Sequence, residues 1–142
     1  MQVRLSLDSD FSYDKKDISS GVSLSYDKVL LKQSNVKFGI GLEHMLPRDI
    51  ENSTFDANSL YFFVRYLYEK KWSSYLRLGY NSIKGISDNP NENGLACAFG
   101  VDYKLTDKWH AETGYHIVST NENYAPRIVC SISRHFKKKD EE

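Results

Sequence analysis

Apolar and polar residues alternate one for one along nearly the whole chain. Between positions 36 and 43, Val36, Phe38, Ile40 and Leu42 share one face, and Lys37, Gly39, Gly41 and Glu43 share the other. Leu60, Phe62, Val64, Tyr66 and Tyr68 oppose Tyr61, Phe63, Arg65, Leu67 and Glu69 in the same way. So do Ser74, Leu76, Leu78 and Tyr80 against Tyr75, Arg77, Gly79 and Asn81. Leu95, Cys97, Phe99, Val101 and Tyr103 alternate with Ala96, Ala98, Gly100, Asp102 and Lys104. Trp109, Ala111, Thr113, Tyr115 and Ile117 alternate with His110, Glu112, Gly114, His116 and Val118. A period of two residues is that of a β-strand. No stretch of comparable length carries a helical period.

The pattern predicts eight strands, over 2–13, 18–28, 35–46, 59–69, 72–83, 94–104, 108–118 and 126–137. Each is longer than the usual strand of a soluble sheet, about 5–6 residues. Each instead approaches the roughly 9–11 residues needed to cross a bilayer at a tilt. The connections 70–71 and 105–107 are tight, whereas 47–58, 84–93 and 119–125 are long. The connections 14–17 and 29–34 break this alternation, the first being the shorter. Pro47, Pro90 and Pro126 fall in or beside the long connections, where they interrupt no ladder. The expected architecture is all-β, an antiparallel up-and-down barrel with both termini at the short-turn end. A single domain is expected over 1–137, followed by a disordered charged tail over 138–142.

Composition narrows the functional classes. The 142 residues include 19 Lys+Arg and 19 Asp+Glu, so there is no basic excess to neutralise nucleic-acid phosphates. No apolar run of about 18 residues is present, which excludes a transmembrane helix but not a transmembrane barrel, whose signal is alternation. Aromatic residues make up 13% of the chain, Tyr alone contributing 10, and this decides which face matters. The start of the chain lacks the basic, apolar and small-residue segments of a secretory signal. Either the chain is not exported, or a signal has been removed and a starting Met supplied.

The two faces point to opposite surroundings. The polar face carries Arg4, Lys37, Arg65, Arg77 and Lys104 against Asp8, Glu43, Glu69, Asp102 and Glu112, interleaved with glycines and alanines. Small residues between paired charges suit the cramped lumen of a small barrel. Lys37, Glu43, Arg65, Arg77, Asp102, Glu112 and His116 are therefore expected to form a polar network in the lumen. On the apolar face, Tyr26, Tyr66, Tyr68, Trp72, Tyr103 and Trp109 lie near the short-turn end, with Tyr80 and Tyr115 toward the loop end. Tyr and Trp favour the membrane–water interface, so these eight are expected to form aromatic girdles on a lipid-facing exterior.

The stretches VKFGIGLEHMLP (36–47), SLYFFVRY (59–66), YLRLGYN (75–81), GVDYKLTDKWHAETGY (100–115) and the strand ending RHF (134–136) resemble bacterial outer-membrane β-barrel domain proteins. The likeness is strongest to the small eight-stranded group and covers nearly the whole chain. The resemblance implies residence in the bacterial outer membrane and insertion by the barrel-assembly machinery. That machinery would read Phe136 as the terminal aromatic, with Ile128, Cys130 and Ile132 in step. Arg134 interrupts this stripe, and six residues follow Phe136.

Candidate chemistry is sparse. His110, Glu112 and His116 share a strand face, as do Ser131, Ser133 and His135 on the next strand, the ingredients of a Ser–His–acid hydrolase. Their spacing is generic, and the alternation places Glu112 and His116 inside a lumen too narrow for an acyl chain. No catalytic residue, cofactor or metal site is assigned. Cys97 and Cys130 fall on strands that are not neighbours. The expected function is a non-catalytic outer-membrane barrel without an open pore, surrounded by membrane lipid, presenting connections 47–58, 84–93 and 119–125 to surface partners and binding no nucleic acid. Two other classes remain: a soluble barrel carrying a hydrophobic ligand, and a lipid-modifying hydrolase.

Overall fold

The computed structural model describes residues 1–11, 18–50, 53–85, 92–119 and 124–136. The strands are β1 (Gln2–Phe11), β2 (Ile18–Gln33), β3 (Val36–Ile50), β4 (Ser53–Leu67), β5 (Trp72–Gly85), β6 (Glu92–Lys104), β7 (Trp109–Ser119) and β8 (Tyr124–His135). Each pairs antiparallel with its sequence neighbours, and β8 closes onto β1 to complete a barrel. Closure leaves no free sheet edge along the body of the wall, which is the condition for a strand to lie in hydrocarbon. Gln2 lies opposite His135, and the Phe136 amide donates to the Met1 carbonyl at 2.8 Å, so both ends of the wall meet at one rim.

The side chains sort as the alternation requires. Leu60, Phe62, Val64 and Tyr66 of β4 are exposed on the outer surface, while Tyr61, Phe63 and Arg65 are at most 4% exposed inside. In β8 Ile128, Cys130, Ile132 and Arg134 face outward with Phe136, while Arg127, Val129, Ser131 and Ser133 are buried within. The apolar face is the outside. An apolar lumen closed around a ligand, as a soluble carrier needs, is the opposite arrangement.

Several boundaries differ from the sequence reading. Residues 29–33, read as a connector, continue β2; their apolar run Val29, Leu30 and Leu31 favours an extended chain. A bulge between Val29 and Leu31 absorbs the odd residue. The turn is then only Ser34 and Asn35, with Ser34 in the left-handed region (φ 48°). This removes the anomaly of a long connection at the short-turn end. The segment 47–58, read as a loop, is mostly the paired continuation of β3 and β4, from Arg48 opposite Phe55 to Ile50 opposite Ser53. Pro47 is accommodated in the register shift between Met45 and Arg48, where a missing N–H breaks no regular ladder. Pro126 also lies within a strand, opposite Ile117 and one residue beyond the Asp10–Arg127 pair, where its missing N–H interrupts no described β1–β8 pairing. The tips of the other connections, Pro90, and the charged tail lie outside the described residues.

The lumen is narrow enough that glycine is a packing requirement. A Cβ on Gly114 would fall on the Tyr75 hydroxyl, and one on Gly100 would meet the same hydroxyl and the Thr113 carbonyl. Tyr75 therefore lies over a glycine floor on β6 and β7. Gly114→Ala is expected to lower the stability of the refolded barrel by about 1–3 kcal/mol. In a Tyr75→Phe background the cost should be smaller, because the hydroxyl is gone; urea unfolding in lipid of the four members of this cycle checks it.

Candidate functional site

The alternation delivers one buried charged side chain from each of the eight strands to the lumen. Among the described residues, four arginines (Arg4, Arg65, Arg77, Arg127) and four carboxylates (Asp27, Glu43, Asp102, Glu112) are buried. Equal numbers matter because an uncompensated buried charge carries a solvation cost of several kcal/mol. Glu112 is the hub. Its Oε1 accepts from Arg77 Nη2 at 2.7 Å, while Oε2 lies 3.2 Å from Arg4 Nε and 3.5 Å from Arg65 Nη2. Arg4 also donates to Asp27 Oδ2 at 2.5 Å and to Ser25 Oγ at 3.0 Å. The second oxygen of Asp27 accepts from the Tyr61 hydroxyl at 2.5 Å. Guanidinium planes serve this role well, since each offers donors to several strands at once.

Two smaller clusters flank the hub. Toward the loop end, Arg127 Nη2 donates to Glu43 Oε1 at 2.6 Å, and His116 Nδ1 is 3.8 Å from the other Glu43 oxygen. His116 Nε2 lies 3.3 Å from the Tyr75 hydroxyl and 3.4 Å from Arg77 Nη1. The Arg77 guanidinium stacks on the Tyr75 ring at 4.1 Å. Toward the terminus end, Asp102 Oδ2 receives Ser73 Oγ at 3.1 Å and lies 2.8 Å from His110 Nδ1. His110 stacks on His135 at 4.0 Å, and Gln2 links Ser133 to Arg65. A pocket of about 10 Å³ bordered by Glu43, Tyr61, Arg77, His116 and Arg127 has room for about one water.

Of the seven residues expected in the lumen network, the structure brings Glu43, Arg65, Arg77, Asp102, Glu112 and His116 together. Lys37 stands apart: half-buried at the terminus end, it faces Lys32 on one strand and Arg65 on the other, in no ion pair among the described residues. Lys104, placed on the same polar face, turns to Asp107 at 2.6 Å on the rim. Arg4, on the polar face by alternation but not counted among the network, lies at its centre. Asp27, Tyr61, Tyr75 and Arg127 were missed. The signal for Asp27 was available, because Ser23, Ser25 and Asp27 are in step and oppose Leu24 and Tyr26.

The hydrolase constellation is not assembled. Ser131 lies opposite Glu112, its hydroxyl without a hydrogen-bond partner among the described residues; Ser133 accepts from Gln2, and His135 is stacked on His110. Neither serine is hydrogen-bonded to a histidine. Cys97 and Cys130 are free thiols, Cys130 on the outer surface 3.6 Å from Thr113 Oγ1.

The eight aromatic residues expected as girdles divide by position. Tyr66 and Tyr68 make an edge contact (centroids 5.2 Å apart), and Trp72 leans on Tyr103 (4.6 Å), all near the terminus-end rim. Tyr26 and Trp109 are exposed at the same end, and Tyr80 is exposed on β5. Tyr115 is half-buried mid-strand beside Phe99 at 5.8 Å.

A polar, charge-matched interior, an apolar exterior and an unbroken antiparallel wall make a transmembrane barrel of this chain. The model of the outer membrane protein beta-barrel domain matches residues 1–132. The chain belongs to this family. It is thus a barrel of the bacterial outer membrane. The attachment invasion locus protein Ail of Yersinia pestis shares the fold at 13% identity and a TM-score of 0.65, with 95% of each chain covered. Neisserial surface protein A matches at 16% identity and 0.61, again over 95% of each chain. OprG from Pseudomonas aeruginosa matches at 13% and 0.60, over 96% of this chain and 95% of its own. No curated protein matches in sequence. At these identities the solved structures establish the fold of this outer-membrane barrel and nothing finer.

Glu112→Gln should destabilise the barrel by about 3–5 kcal/mol, because three guanidiniums lose their shared anion. Lys104→Gln, which breaks only the rim pair with Asp107, should cost less than about 1 kcal/mol. Urea midpoints of both variants in the same lipid separate the two.

Proposed function

We propose that the protein is a non-catalytic, non-conducting anchor that presents its loop-end connections to partners outside the cell. What chiefly supports this is the lumen. Glu112 ties β7 to β1, β4 and β5 through Arg4, Arg65 and Arg77 across the middle of the barrel. Eight strands enclose only enough space for such side chains, so solute passage would require dismantling buried ion pairs. With the interior committed to structure, recognition falls to the rims. The β3–β4 hairpin is the natural presenting element: its paired arms run on past Met45, where β2 pairing ends. The connections 86–91 and 120–123 join their strands at the same end of the barrel. Insertion would rely on the barrel-assembly machinery reading Phe136, with Arg134 held against it at 5.3 Å. Lipid would surround the aromatic belt.

The purified protein in planar bilayers is expected to show no steady conductance, and vesicles containing it should not swell in small sugars. A stable channel would refute the reading. Replacing 51–52, 86–91 and 120–123 with neutral Gly-Ser connections should leave the heat-dependent gel shift of the inserted barrel intact, since the paired strands of the wall are built from other residues.

A further inference from the structure

The cations at the terminus-end rim form an arc in which they outnumber the carboxylates. The β4–β5 turn brings Lys70 and Lys71, the β6–β7 turn brings Lys108, and β8 carries Arg134 on the outer face next to its last residue, His135. The turns are adjacent, since the Lys104 amide donates to the Lys71 carbonyl and the His135 amide to the Lys108 carbonyl, both at 2.8 Å. The carboxylates of this arc are Glu69 and Asp107, and Asp107 is held by Lys104. No ion pair joins Lys70, Lys71, Lys108 or Arg134 to a carboxylate among the described residues, and all four are exposed. The segment 137–142 adds three lysines and three carboxylates and so no net charge. The opposite rim differs in sign: connections 12–17, 51–52, 86–91 and 120–123 carry Asp14, Asp17, Glu51, Asp88 and Glu122 against Lys15 and Lys16.

These cations also sit at a defined depth. The Lys71 ammonium lies 6.0 Å from the Tyr103 ring, and the Arg134 guanidinium 5.6 Å from Trp109 and 5.3 Å from Phe136. Aromatic rings of this kind mark the boundary between hydrocarbon and headgroups. A guanidinium on a lipid-facing stripe is tolerated there, where its charge reaches headgroup phosphate. In an outer-membrane barrel the short turns are periplasmic, so this boundary belongs to the inner leaflet.

We infer that the arc formed by Lys70, Lys71, Lys108 and Arg134 is a docking surface for anionic phospholipid headgroups of the periplasmic leaflet. The aromatic rings of Trp72, Tyr103 and Trp109 hold the acyl-chain side, and the cations receive the phosphate. Attraction is electrostatic and additive over the four charges, and it screens with salt.

The chain supplies its own reporter. Its 2 tryptophans, Trp72 and Trp109, both lie in this arc. The protein is refolded into phosphatidylcholine vesicles containing equal mole fractions of either bromo-acyl phosphatidylglycerol or bromo-acyl phosphatidylcholine. Bromine quenches indole on contact, so the quenching ratio reports local lipid selection. The expected ratio corresponds to about two- to fivefold preference for the anionic lipid at low salt, falling toward one at high salt. K70Q/K71Q/K108Q/R134Q should bring it to one at low salt. Equal quenching in the unmodified protein, or selectivity that survives the fourfold substitution, overturns the inference. Equal quenching together with binding of polyglutamate would assign the arc to an acidic protein and overturns it too. The heat-dependent gel shift reads insertion separately, so failure of the membrane reading is distinguished from failure of lipid selection. Should the variant not insert, the salt series on the unmodified protein decides.

Discussion

The structure depends on one constraint: a lumen of eight strands is too narrow to keep its charges in water. Every charge placed inside must find its counter-ion on another strand. Glu112 meets this requirement most fully, holding Arg77, Arg4 and Arg65 from three strands on two oxygens. Taken alone, a buried ion pair is weak evidence of stability, because desolvation offsets much of the attraction. Here its effect is register. A strand that slipped by one residue would send its arginine into lipid and its leucines into the ion cluster, so the network penalises wrong pairings heavily.

The same constraint explains the glycines and the roles of the histidines. Tyr75 lies over Gly100 and Gly114 and the Tyr61 ring over Gly41, positions where a Cβ would collide with the tyrosine or the neighbouring backbone. With aromatic rings and guanidiniums filling the section, the histidines become parts of the network. His116 is shared among Glu43, Tyr75 and Arg77, and His110 between Asp102 and His135. The rims differ from the lumen: extended hairpin arms at one end, and exposed aromatic rings and cations at the other.

Much of this was legible in the sequence because a two-residue period fixes which side chains share a face. The orientation of Glu43, Arg65, Arg77, Asp102, Glu112 and His116 followed from it. Boundaries were less legible. Pro47 looked like the end of a strand, yet a bulge took up its missing N–H, and β3 ran on to Ile50. The two-residue turn at Ser34 and Asn35 was hidden because neither residue is glycine. Lys37 was grouped with the network because alternation gives the face but not the depth. Asp27 and Arg127 were overlooked in strands whose serines made the polar face look inert. Which cation meets which anion depends on the stagger between strands, and one sequence does not state it.

The central claim, that the apolar face of the wall meets lipid and the charged face is sealed inside, is tested most directly on β4. Nitroxide labels placed singly at Leu60, Phe62 and Val64, and at Tyr61 and Phe63, would be read in vesicles by collision with oxygen and with a water-soluble nickel chelate. The even positions, exposed on the outer surface, should show high oxygen and low nickel accessibility, and the odd positions, buried in the lumen, should be low in both. Nickel reaching the even positions, or oxygen accessibility peaking at the odd ones, would contradict the account.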